Sequence, residues 1–83
     1  MTGNVDVHKF DRILDDVEDA FTHATTKHTR PHASLHESYA ILMEEVEEFW
    51  DELKLQNPDP ANLRKELLQI AAVAIRAIHD SSL

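Results

Sequence analysis

The sequence predicts an all-α fold: a three-helix chain, one domain over residues 1–83, completing a four-helix-type bundle by oligomerisation. Three observations predict it. Apolar residues recur at three- and four-residue steps in three separate segments. The strong interruptions are a single Gly and the prolines Pro31, Pro58 and Pro60, residues that end helices. No segment carries the apolar–polar alternation of a strand. Oligomerisation follows from size, because a chain of 83 residues buries a small share of its surface and is marginal alone. With no cysteine it cannot add disulfides, which leaves association as the natural supplement.

The first helix is expected from about Val5 to Ala24, with Val7, Phe10, Leu14, Val17, Phe21 and Ala24 along one face and Asp15, Asp16, Glu18 and Asp19 away from it. Thr25 and Thr26 weaken helical preference, so fraying is expected before Pro31. A loop rich in His, Thr and Arg follows, from Lys27 to Leu35. Ser34 and Glu37 have capping-box spacing, starting a second helix that runs to about Gln56. Pro58 and Pro60 bracket a short connection, Asp59 or Asn62 can cap, and a third helix spans about Ala61 to His79.

Charge narrows the function. Sixteen acidic against eight basic residues give a formal charge of −8, which repels a phosphate backbone and argues against a nucleic-acid polymer as partner. No apolar run approaches the roughly 20 residues of a membrane span, and the N-terminus lacks a basic start and an apolar core. A soluble protein of the cytoplasm is expected, with no membrane partner.

The acids are not evenly spread. On a helical wheel with Glu45 at the origin, Phe49, Leu42, Leu53, Val46, Tyr39 and Trp50 fall at about 40° to 140°, the expected buried face. Glu45, Glu48 and Glu52 form a narrow stripe at its edge, and Glu44, Glu47 and Asp51 point farther out. The third helix repeats the pattern: Gln69, Val73, Arg76 and Asp80 lie beside Glu66 at the edge of a face made by Leu63, Leu67, Ile70, Ala71, Ala74, Ala77 and Ile78. Packed antiparallel, the two helices bring carboxylates into one cleft. Like charges at this spacing repel, and desolvation at a core margin adds to the cost. Mg²⁺ or Mn²⁺, hard ions that take oxygen ligands, would reverse both penalties. The plainer alternative is a solvated surface, since Glu is a strong helix former.

Glu44-Glu45-Val46-Glu47-Glu48-Phe49, followed by Lys65-Glu66-Leu67-Leu68-Gln69-Ile70-Ala71, resembles the MazG-like all-α nucleoside triphosphate pyrophosphohydrolase superfamily, with its Glu-x-x-Glu and Glu-x-x-Asp motifs on successive helices. The resemblance covers roughly residues 35–80. It implies Mg²⁺ held by Glu45, Glu48, Glu66 and Gln69, with Mn²⁺ as a substitute. It also implies a nucleotide substrate cleaved to monophosphate and pyrophosphate, catalysis through Glu45, Glu48 and Glu66, and a homodimer or homotetramer with a shared site. One of the outer carboxylates would then position or deprotonate the attacking water. Gln69 departs from the family's Asp; its amide oxygen can ligate but brings no charge. Asp80 lies about 16 Å farther along the helix and cannot serve the same ion.

Arg76 has two roles open, a bidentate phosphate contact or an ion pair with Asp80 one turn on. Lys27, Arg30 and His36 are candidates for contacting phosphate or base at the cleft mouth, whereas Lys54, Arg64 and Lys65 read as solvated charges. His28, His32 and His36 have helical spacing, but Pro31 interrupts any helix that would align them for zinc. Tyr39 and Trp50 read as core or interface anchors. The competing function on the same scaffold is a non-enzymatic helical interaction or regulatory protein, which the amide at position 69 favours. A third is an acidic mimic that binds a basic protein through Glu44, Glu47 and Asp51.

Overall fold

The computed structural model describes residues 4–83; residues 1–3, included in the single-domain reading, lie outside the described part. Three helices follow in order: α1 (Val7–Lys27), α2 (Leu35–Leu53) and α3 (Pro60–Ser81), with no strand among the described residues.

Each helix starts on a side-chain cap. The Asp6 carboxylate accepts the Lys9 N–H at 3.1 Å, the Ser34 hydroxyl accepts the Glu37 N–H at 3.1 Å, and Asp59 accepts the Ala61 N–H at 2.9 Å, each satisfying a donor that the first turn leaves free. Pro60 occupies the first helical position, where its missing N–H costs nothing. Glu37 reaches back beyond Ser34 to accept the Ala33 N–H at 2.6 Å and the Arg30 guanidinium at 3.1 Å. Those bonds hold its carboxyl below the usual carboxylate value, the Ala33 N–H first and Arg30 second.

Two boundaries differ from the sequence expectation by three residues, the others by at most two. Helix α1 continues through Thr25 and Thr26 to Lys27 because both hydroxyls bond back to the Thr22 carbonyl, at 3.0 and 2.8 Å, so the β-branched pair is absorbed instead of fraying the end. Helix α2 stops at Leu53, short of Gln56. There the Leu55 N–H turns onto the Glu52 carbonyl, and the Glu52 carboxylate accepts the Asp59 N–H at 2.9 Å and the Asn62 amide at 3.4 Å. Glu52 therefore ties the α2–α3 connection and stands apart from the Glu45–Glu48 pair.

Helix α3 is the central element: α1 and α2 each pack on it and make no packing contact with one another. The result is a valley with α3 as floor. Its openness shows in the dimensions, since a radius of gyration of 14.2 Å exceeds the roughly 12 Å of a compact chain this long. The accessible surface of 6411 Å² likewise exceeds the roughly 5,000 Å² of a compact monomer of this mass. Among the described residues, Val17 and Ala72 are the buried apolar ones, and no large side chain is fully enclosed.

The expected buried face of α2 is rotated. Ser38, Leu42, Glu45, Phe49 and Glu52 form its buried or half-buried side, turned to α3 and the preceding loop. Tyr39 (66 % exposed), Trp50 (55 %), Met43, Val46 and Leu53 form an uncovered apolar row. Two bonded polar members of the inner side explain the rotation: Ser38 bonds His32 and Glu52 ties the connection. Tyr39 and Trp50 are thus not core residues of the single chain. On α1, Val7, Phe10 and Leu14 are exposed in the same way.

Candidate metal centre

Glu45 and Glu48 stand one turn apart on α2, and Glu66 faces them from the early part of α3. One carboxylate oxygen from each lies within 4.8 Å of the others. Glu45 and Glu66 are half-buried and Glu48 is exposed. The Glu45 carboxyl is pushed above its ordinary value by burial first, then by the charges of Glu48, Glu66 and Glu44, while Lys65 partly opposes them. Three acids in one place, one of them desolvated, is an arrangement that a cation relieves.

The donor set fits Mg²⁺ or Mn²⁺. All the donors are hard oxygens; three of them on one octahedral ion would lie about 3–4 Å apart, so side-chain rotation would have to draw the observed group, within 4.8 Å, closer together. Gln69, half-buried one turn beyond Glu66, lines the same space and can add a neutral amide oxygen.

The acids open into a cavity of about 820 Å³ between α1 and α2, a size suited to a small-molecule ligand. Lys27, His28, Arg30 and His32 line it from α1 and the loop, and Arg76 lines its floor. Because Arg76 lies ten residues beyond Glu66 on α3, the cationic end is about 15 Å along the floor from the acids. At that end Glu37 also lines the cavity and pairs with Arg30, and Arg76 pairs with Asp80, which leaves Lys27, among the described residues, as the basic side chain there outside an ion pair.

Of the residues that the sequence singled out, Glu45, Glu48, Glu66 and Gln69 come together, and Lys27 and Arg30 line the same cavity. His36 is exposed and does not line it. Of Arg76's two roles, the structure shows the ion pair: its Nε lies 3.2 Å from Asp80 Oδ2, and both side chains are almost fully buried. The His28, His32 and His36 trio does not converge; among the described residues the converging group of metal-ligating side chains is the Glu triad.

Sequence reasoning missed His23, Glu44 and Lys65 as cavity-lining residues. A signal existed for His23, four positions before Lys27 on one helix face. Glu44 and Lys65 looked solvent-directed because the wheel was centred on the apolar row, and the rotation of α2 toward its polar side was not visible in periodicity. Comparison with protein-family models, curated proteins and solved structures finds no match to this chain, so the site is interpreted from its own residues.

Proposed function

We propose that the protein is a Mg²⁺-dependent nucleoside triphosphate pyrophosphohydrolase of MazG-like type, converting a nucleoside triphosphate to monophosphate and pyrophosphate. The observation that carries this reading is the convergence of Glu45, Glu48 and Glu66 from two helices at the acidic end of a ligand-sized cavity. The motif spacing that resembles the superfamily falls on the same three residues.

In this reading Glu45, Glu48 and Glu66 hold the ion, with the Gln69 amide oxygen as a weaker neutral ligand. The ion supplies charge neutralisation for phosphate oxygens and a lowered pKa for water. Glu44 lines the cavity next to the triad and is the carboxylate available to orient an attacking water and take its proton. Lys27 and Arg30 meet the far end of the nucleotide. Free nucleotides and Mg²⁺ make the cytoplasm the natural location for such an activity.

A second copy of the chain completes the fold, as a homodimer or homotetramer. The row Tyr39, Met43, Val46, Trp50 and Leu53 on α2 is uncovered. The chain's surface exceeds that of a compact monomer by more than 1,000 Å² as an order of magnitude, comparable to the roughly 800 Å² that a standard interface covers per partner. Helix pairing across this row supplies the fourth-helix contacts that the single chain lacks.

Pyrophosphate release from a panel of ribo- and deoxynucleoside triphosphates with Mg²⁺, for wild type and Glu45→Gln, tests the activity. Wild-type turnover that falls at least a hundredfold in the variant is expected. A folded, metal-binding oligomer that releases pyrophosphate from none of them would instead support the regulatory reading. Gln69, in place of an acid, is the observation that favours that alternative.

A further inference from the structure

We propose that Arg76 and Asp80 are positioning residues that clamp the segment 28–32 onto the last turns of α3 and so set the wall of the cavity that faces away from the acids. What the wall binds rests on the phosphate-ligand reading above; the clamp stands on geometry of its own.

Arg76 is 7 % exposed. Its Nη2 donates to the carbonyl oxygens of His28 at 2.7 Å and Arg30 at 2.5 Å, and its Nε donates to Asp80 Oδ2 at 3.2 Å. The same Asp80 oxygen accepts the backbone N–H of His32 at 2.9 Å, and Oδ1 pairs with His79 Nδ1 at 2.9 Å. One ion pair on α3 thereby holds three alternate backbone positions of the loop: 28, 30 and 32. The side chains of those residues line the cavity.

Helix stability does not explain Asp80. An acid in the last turn of α3 opposes the macrodipole, yet its carboxyl is held down at about 2, by the His32 N–H first, then His79 and Arg76. Nor does lysine replace arginine here, because a point charge cannot direct separate donors at two carbonyls and a carboxylate. A second set of ties runs to α2: His32 Nδ1 lies 2.6 Å from the buried Ser38 hydroxyl, and Glu37 holds Ala33 and Arg30. The loop between α1 and α2 is thus fixed from both neighbouring helices, with the wall's backbone held mainly from α3.

The test uses the full chain in its native assembly, with Asp80→Asn and Arg76→Lys. Both variants should keep the helical circular dichroism of the wild type. Amide exchange at His32 should accelerate at least tenfold, with exchange in the middle of α2 unchanged. Binding of the Mg²⁺ complex of a non-hydrolysable nucleoside triphosphate analogue, long enough to reach from the acids to the wall, should weaken about tenfold by calorimetry, while the affinity for Mg²⁺ alone moves less than twofold. Unchanged His32 exchange would overturn the clamp, as would an equal loss of Mg²⁺ affinity, which marks general disruption. In the wild type itself, a protected Arg76 Nε–H resonance is expected, and its absence refutes the proposal even if neither variant folds. If the wild type binds no such magnesium–nucleotide complex, the phosphate reading fails and the exchange measurements alone decide the clamp.

Discussion

Glu45→Gln should shift stability in two opposite directions, depending on whether Mg²⁺ is present. The Glu45 carboxylate oxygen lies within 4.8 Å of those of Glu48 and Glu66. Each such like-charge pair costs about 0.9 kcal/mol at the dielectric of water and about 3.5 kcal/mol at an effective value near 20. Glu48 is exposed, so screening favours the lower figure, and relieving two pairs is worth about 1–2 kcal/mol. In a domain this size, that raises the melting temperature by roughly 4–16 °C. In chelator, therefore, Glu45→Gln should melt above wild type. With Mg²⁺ at ten times its dissociation constant, the wild type should gain about 1.4 kcal/mol by linkage, and the variant should gain almost none. Paired thermal melts at one protein concentration, in chelator and in Mg²⁺, give both numbers. The pH dependence adds a control. A carboxyl with a raised folded-state value contributes stability below the ordinary 4.5 and loses it as pH rises through the raised value. The gap between variant and wild type in chelator should accordingly open across that window. A variant that melts lower in chelator, or that gains as much from Mg²⁺ as wild type, would refute the repulsive-cluster reasoning.

Further outcomes follow from the same structure. Gln69→Asp should tighten Mg²⁺ binding about tenfold by adding a charged ligand and should lower the melting point in chelator, both readable by calorimetry and thermal melts. Trp50→Glu, in the middle of the uncovered α2 row, should reduce the sedimentation mass to that of a single chain, whereas Asp51→Asn should leave it unchanged. Asp80, held at about 2, contributes stability above its ordinary 3.8 that is lost as pH falls through about 2. Acid titration followed by His32 amide shifts should place the release of the loop there, well below the pH at which ordinary carboxylates protonate. Ser34→Ala should cost about 1 kcal/mol as a lost helix cap, measured by denaturant unfolding.

The helices and the metal-ligating acids were legible in the sequence for the same reason: both are expressed within one element at a spacing of three or four residues. Glu45 and Glu48 share a face by periodicity alone, and proline and cap signals placed Glu66 at the head of the next helix. The orientation of α2 about its axis was not legible. It depends on contacts between elements, with Ser38 to His32 and Glu52 to the α2–α3 connection, and on an apolar row that the single chain leaves uncovered. The role of Arg76 was half visible. Its i,i+4 relation to Asp80 is local, but its bonds to the carbonyls of His28 and Arg30 cross more than forty residues and leave no trace in spacing.

The position of α3 between two helices that do not touch has a kinetic consequence. Helices α2 and α3 are joined by a short connection and form a local hairpin, which closes at little entropic cost. Helix α1 meets α3 only through residues far apart in the chain, including Asp16 to Arg64 at 2.6 Å and Phe21 against His79. Docking of α1 is thus the late event in folding and its release the early event in unfolding, a sub-global opening that leaves the hairpin formed. Because Lys27 leaves with α1 while Glu45, Glu48 and Glu66 stay on the hairpin and Arg76 and Asp80 keep the loop clamped to it, such an opening parts Lys27 from the rest of the cavity, and ligands that reach Lys27 should slow amide exchange throughout α1.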